Sequence, residues 1–143
     1  MGNYETLNEL LVTLFRDVMD IEQKVIITPE FKDITNNDMH VINAIGVGTT
    51  KNMSSIAKEL SVTVGTLTIS MNSLVKKGYV TRCRSMQDRR VVHISLSEKG
   101  VKAYYHHKHF HEQMIQGVVE VLTEEELQAL IKALTKLNSW FRS

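Results

Sequence analysis

The apolar residues of this chain change their spacing once, and the change falls inside one short stretch. From Val64 to Lys77 they recur as Val64, Leu67, Met71, Leu74 and Val75, the 3.6-residue period of a helix with one buried face. Tyr79–Arg84 and Val91–Leu96 are instead β-branched and roughly alternating, which is the period of a strand. Gly78 stands at the switch, where a helix-ending residue takes left-handed backbone angles. Between the two strand segments lies Ser85-Met86-Gln87-Asp88-Arg89-Arg90, so the pair reads as a hairpin with a basic tip. Upstream, Thr35 and Asp38 form a capping box for a short helix carrying Met39, Ile42 and Ile45, closed by Gly46 and Gly48. Asn52 is an N-cap before Ser54–Leu60, with Ile56, Ala57 and Leu60 facing inward. After a break at Ser61–Val62, Thr63 caps the helix that begins at Val64. Two short helices joined by a turn form a helix-turn-helix, and a hairpin that follows one is a wing.

The flanks are helical. Leu7, Leu11, Leu14, Val18, Ile21 and Val25 make the apolar seam of one long helix from about Tyr4 to Val25, with Pro29 at or beyond its end. Ser97 caps a helix carrying Val101, Tyr105, Phe110, Met114, Ile115 and Val118. Thr123 with Glu126 opens the last helix, which repeats Leu127, Leu130, Leu134, Leu137 and Phe141 at threes and fours. Stripes this long are hard to bury inside 143 residues, so the terminal helices are expected to pack on each other and on a second copy. The expected fold is mainly α with a small β-wing: a winged helix-turn-helix over 35–96, with 1–34 and 97–143 as dimerisation helices.

Charge separates the same segments. Residues 1–50 hold three basic and eight acidic side chains, a net of −5. Residues 51–102 hold ten basic side chains against Glu59, Asp88 and Glu98, a net of +7, and residues 103–143 return to −1. A basic module between acidic or neutral flanks is the footprint of a nucleic-acid surface, although a solvated basic face with no partner gives the same count. The hydrophobic fraction of 43% and charged fraction of 23% are those of a folded chain and argue against disorder.

Other classes find less support. Serine and histidine are abundant but match no nucleophile motif, and Glu124-Glu125-Glu126 begins a helix, where carboxylates favour the dipole, so no enzyme is expected. No apolar stretch approaches the roughly 18 residues that span a bilayer, so no membrane partner is expected. Glu5, Glu9, Arg16 and Asp17 interrupt any signal-peptide core, and the single Cys83 cannot form an internal disulfide. Both point to the cytoplasm. Cys83 is read as structural, with a redox switch as the alternative.

The run from Asp88 to Gly100 resembles the wing signature of the MarR-type transcription regulators. That signature is Asp, any residue, Arg, three residues, an aliphatic, any residue, Leu, Thr or Ser, two residues, Gly. Here Asp88, Arg90, Ile94, Leu96, Ser97 and Gly100 fill its fixed positions. Ile56–Leu60 followed by Val64–Leu74 resembles that family's helix-turn-helix, and helix order and length agree over nearly the whole chain. Within the family the sequence is most similar to the FabT-type repressors of fatty-acid synthesis. The residues that carry this are Phe31–Ile34 with Met39 and His40, Val62–Thr68, Ser85–His93 and His107–His111. The resemblance implies a homodimer on a palindromic double-stranded operator, repressing fatty-acid synthesis genes with long-chain acyl-acyl-carrier-protein as corepressor.

On this reading the helix from Val64 enters the major groove. Its outward residues are Thr63, Gly65, Thr66, Thr68, Ser70, Asn72 and Ser73, with Lys76 beyond them. The short hydroxyls suit phosphates and thymine methyls, Gly65 lets backbone approach a phosphate, and Asn72 suits adenine. Asn52, Ser54, Arg84, Ser85 and Gln87 are expected on the DNA backbone. The resemblance pairs Asp88 with Arg90 as a brace of the wing, leaving Arg89 for the minor groove. No cofactor is expected, and two effectors compete. An acyl chain would lie along Phe15, Val18, Met19, Met39, Ile42, Phe110 and Met114, residues that equally suit packed core. Zinc would use the i, i+4 pair His107 and His111 with His40, and Asp20 or Glu22 could complete the site. Phenolic ligands are common in the family, but nothing here selects them. A dimeric scaffold that binds only protein is the alternative of another class.

Overall fold

Capping side chains start five of the six helices in the computed structural model, which describes residues 2–143. The helices are α1 (Asn3–Ile26), α2 (Asn36–Ile45), α3 (Met53–Leu60), α4 (Val64–Lys77), α5 (Glu98–Val121) and α6 (Glu124–Arg142), with strands β1 (Val80–Arg84) and β2 (Val92–Leu96) between α4 and α5. Thr35, Asn52, Thr63 and Thr123 accept the N3 backbone N–H of α2, α3, α4 and α6. Ser97 Oγ accepts from Gly100 N at 3.1 Å to open α5. At Thr35 and Thr123 the reciprocal bond from Asp38 or Glu126 completes a capping box.

The chain divides into two compact units, the first ending at Lys108 and the second starting at His109. The core lies in the first. Ile34, Ile42, Ile45, Ile56, Leu67, Met71, Leu74, Tyr79 and Ile94 are buried together, bringing α2, α3, α4 and the β-hairpin onto one apolar centre. Ala103 and His107 of α5 and Ile26 of α1 are also buried. The strands pair antiparallel in the register Val80↔Leu96 to Arg84↔Val92. A further bridge joins Lys51 to Ile94, with backbone bonds of 2.9 and 2.7 Å in both directions. It docks the hairpin on the segment between α2 and α3, and no hydrophobic period announced it. Lys51 Nζ also donates to the Ala44 carbonyl near the end of α2, where a cation offsets the helix dipole.

Two glycines meet geometric demands. Gly78 ends α4 with φ of +90°, a conformation that L side chains resist. A Cβ on Gly100 would collide with the Tyr79 carbonyl. This is where α5 starts, with Ser97 N bonded to the same carbonyl at 3.0 Å. Lys99 lies over the Tyr79 ring at 4.5 Å from its centroid, and the Tyr79 hydroxyl donates to Asp33 Oδ1 at 2.7 Å. Tyr79 itself is packed before β1 begins, so it anchors the wing instead of belonging to it.

The remaining helical surface is apolar and open. On α1, Leu7, Leu10, Leu14, Phe15 and Ile21 are more than half exposed. Among the described residues of α6 none is buried, and its Leu130, Leu134, Leu137 and Phe141 stand in solvent. No helix is long and apolar enough to cross a membrane among the described residues.

Candidate nucleic-acid interface

α4 turns Leu67, Met71 and Leu74 into the core, so helical geometry leaves Gly65, Ile69, Asn72, Ser73 and Lys76 on the opposite side. The hydroxyls of this helix are already engaged locally. Thr63 Oγ1 accepts from Thr66 N at 3.1 Å and donates to Thr66 Oγ1 at 2.9 Å. Thr68 Oγ1 donates to the Val64 carbonyl at 2.8 Å. Ser70 Oγ accepts from Asn37 Nδ2 at 3.1 Å, and Ser73 is half-buried. Asn72, expected to suit adenine, accepts from Arg82 Nη1 through its Oδ1 at 2.6 Å. Bidentate adenine recognition needs both ends of the amide, and here the acceptor end is held by a guanidinium.

Arg82 is a candidate site residue that the sequence reading passed over. It precedes Arg84 by two along β1, and the two-residue alternation of a strand puts both on one face. That alternation was the available signal. Together with Met53, Thr68 and Val92 they line a groove of about 480 Å³ between the helix-turn-helix and the wing. Beside it, Asn52, Ser54 and Arg90 border a depression of about 270 Å³. Residues 38 positions apart are thus brought to one edge by the Lys51–Ile94 bridge and the hairpin register. The Asn52 side chain spends its oxygen on the Ser55 N–H at 2.8 Å, leaving the amide NH₂ as the donor end.

The wing tip is tied from within. Ser85 Oγ, expected on the DNA backbone, accepts from the N–H groups of Gln87 and Asp88, each at 3.2 Å, and so shapes the turn while its O–H stays a donor. The Asp88 carboxylate accepts from Arg90 N at 3.0 Å, from Nε at 3.2 Å and from Nη2 at 3.3 Å. These bonds hold its pKa below the ordinary carboxylate value. Arg84 Nη1 donates to the Arg89 carbonyl at 3.0 Å, which supports the backbone while the Arg89 side chain stays exposed. Gln87 and Met86 are exposed beside it. Cys83 is free and exposed on β1.

The effector candidates fall in different environments. Met39 and Ile42 are closed into the core, 2% and 0% exposed, and present no surface to a ligand. Phe15 and Met19 are exposed on α1, Val18 is half-buried there, and Phe110 and Met114 are half-buried on α5. An acyl chain touching Met39 would therefore have to displace core packing. His107 is buried, with Nε2 at 2.7 Å from Glu22 Oε1 and Nδ1 at 3.2 Å from Asn43 Nδ2, which ties α5 to α1 and α2. His111 follows one turn later on α5. His40 is exposed and lines a separate cleft of about 340 Å³ with Asn37, Glu59 and Leu60. Asp20 is exposed on α1.

A helix-turn-helix carrying a braced basic hairpin, with cations gathered along one edge, defines a winged-helix regulator of transcription. Residues 24–105 match the family model of the SarA/Rot transcriptional regulators. The structure of Streptococcus pneumoniae FabT in complex with DNA is similar at a TM-score of 0.91, with 41% identity, covering 98% of each chain. The uncharacterised HTH-type regulator YpoP of Bacillus subtilis is 27% identical over 107 residues, 75% of this chain and 76% of its own. SarZ of Staphylococcus saprophyticus is 40% identical over 68 residues, so the match spans about half of its length, 47%. The chain belongs to the MarR/SarA-type family of transcriptional regulators: it is a DNA-binding regulator and not an enzyme.

Proposed function

We propose that the protein is a homodimeric repressor of fatty-acid synthesis genes, binding a palindromic operator with long-chain acyl-acyl-carrier-protein as corepressor. The observation that carries this reading is the likeness to the FabT–DNA complex over the whole chain. The wing run Ser85–His93 and the histidine-rich His107–His111 point to the same branch. In this assignment residues 35–96 hold the DNA. Lys76, Arg82, Arg84 and Arg89 supply phosphate and minor-groove contacts, α4 enters the major groove, and Asp88–Arg90 stiffens the wing. Residues 1–34 and 97–143 join two copies, since α1 and α6 each expose a leucine-rich stripe. Two half-sites would then lie roughly 34 Å apart.

The test measures affinity for promoter fragments of fatty-acid synthesis genes, with acylated carrier, with apo-carrier and with neither. Acylated carrier should tighten binding by about tenfold, within the usual range of allosteric coupling, and apo-carrier should not. Equal affinities in all three arms refute the corepressor. A second reading, response to zinc, is favoured by the buried His107–Glu22 pair one turn from His111. Imidazole and carboxylate are zinc donors, and zinc could take the place of the proton between them. A zinc arm on chelated protein in the same buffer separates the two effectors.

A further inference from the structure

Ile69 stands 75% exposed in the middle of α4. Local energetics do not favour it there. A β-branched residue is a weaker helix former than the straight-chain alternatives, and an exposed isoleucine gains nothing from the core. It lies four residues after Gly65 on the outward side of the helix. Helical side chains lean toward the N-terminus, so Ile69 leans over a position that carries no side chain. Even a Cβ built on Gly65 would meet nothing nearer than Thr63 Oγ1 at 3.9 Å. The polar residues around it make local bonds: Thr68 donates to the Val64 carbonyl, Ser70 accepts from Asn37, and the Asn72 oxygen accepts from Arg82. The outward face thus offers one large exposed apolar side chain, with Lys76 on the same face and Arg82 bonded to it through Asn72.

We infer that Ile69 is a specificity-determining residue that packs on thymine C5-methyl groups in the major groove. This rests on the reading in which α4 enters that groove. An apolar group in a cationic frame matches a polyanion that displays methyls, and thymine is the base that does so. An apolar protein surface would have to bury the surrounding cations without partners. Gly65 would let the helix come close enough for a branched four-carbon side chain to touch the base edge.

The experiment first enriches duplexes from a random pool on the full chain. It then compares the enriched duplex with a copy in which deoxyuridine replaces thymine, removing only the methyls. Wild type, Ile69→Ala and Ile69→Val are titrated on both; the exposure of Ile69 leaves the fold to its buried neighbours, and circular dichroism checks it. Burial of one methyl per subunit should make wild type about fourfold tighter on thymine per contact, and about fifteenfold for two copies. Ile69→Ala should lose that much on the thymine duplex and bind both duplexes alike, with Ile69→Val between. Wild type indifferent to uracil, or Ile69→Ala losing as much as wild type on the swap, would overturn the inference while leaving the DNA-docking reading standing. A pool that yields no enriched duplex would overturn both.

Discussion

The response of DNA binding to salt follows from the arrangement of cations. Lys76, Arg82, Arg84, Arg89 and Arg90 are exposed on α4 and the wing. They are not equal in effect, because Arg90 is held by the Asp88 carboxylate, which already neutralises it. Arg82 and Arg84 are bonded to a neutral amide oxygen and a backbone carbonyl, so each keeps its full charge. That leaves four effective cations per chain and about eight per proposed dimer. At about −0.9 per phosphate neutralised, log K against log salt should have a slope near −7, so fourfold more salt weakens binding by roughly 10⁴. Fluorescence anisotropy of a labelled operator fragment over a potassium chloride series measures it. Arg89→Ala removes one charge per chain and should reduce the slope to roughly −5. Asp88→Asn should act in the opposite direction and steepen it toward about −9, since it frees Arg90 for phosphate while leaving an acceptor for the Arg90 backbone. A wild-type slope shallower than about −3, or identical slopes in all three proteins, would refute the assignment of these cations to the DNA.

Four further outcomes test the scaffold. Gly100→Ala must move α5 from the Tyr79 carbonyl, and overpacking against backbone should cost about 2–3 kcal/mol, lowering Tm by roughly 5–10 °C in thermal denaturation; an unchanged Tm would show that the contact yields. Tyr79→Phe removes the bond to Asp33, and because Asp33 is exposed and rehydrates, the loss in urea unfolding should be only about 1 kcal/mol. Burial and the Asp33 hydrogen bond both raise the Tyr79 pKa above its ordinary value of 10.0, so alkaline absorbance titration should find this phenol protonated there. For Asp88 the folded pKa lies below the ordinary 3.8. Its brace is therefore complete above that value and is lost as pH falls through the lower folded one. The protection of the Arg90 amide, its exchange rate divided into the intrinsic rate at each pH, should fall only in that acid range, and a fall near neutral pH would contradict the assignment.

Caps and punctuation made the helix-turn-helix legible. Thr35, Asn52, Thr63 and Thr123 each announce a helix through a local rule, and each sits at the N-cap in the structure. Gly78 and the alternation after it gave the wing in the same way. What was not legible was every feature that depends on a partner distant in sequence. Nothing local to Asn72 announces that Arg82, ten residues later, holds its oxygen. Ile69 lies off the apolar period of α4, and periodicity identifies residues that face the core and says nothing of those that face away with a purpose. Met39 fitted an adaptable pocket by residue type, but its burial closes it off.

The same distinction explains why the DNA-binding segment and the terminal helices differ as folding problems. The segment around α2, α3, α4 and the wing closes on its own core, so its stability is intrinsic to the chain. α6 buries none of its described residues, and a solitary helix of 19 residues is marginal in water however well it is capped. Its capping box fixes where it starts, not what covers Leu130, Leu134 and Leu137. The stabilisation of such a helix has to come from a surface outside its own sequence, and in the proposed dimer that surface is contributed by both copies. Dimerisation would then stabilise these helices and also set the spacing at which two wings meet one duplex. A substitution on an exposed leucine stripe should therefore act on operator affinity without touching a single DNA-contacting residue.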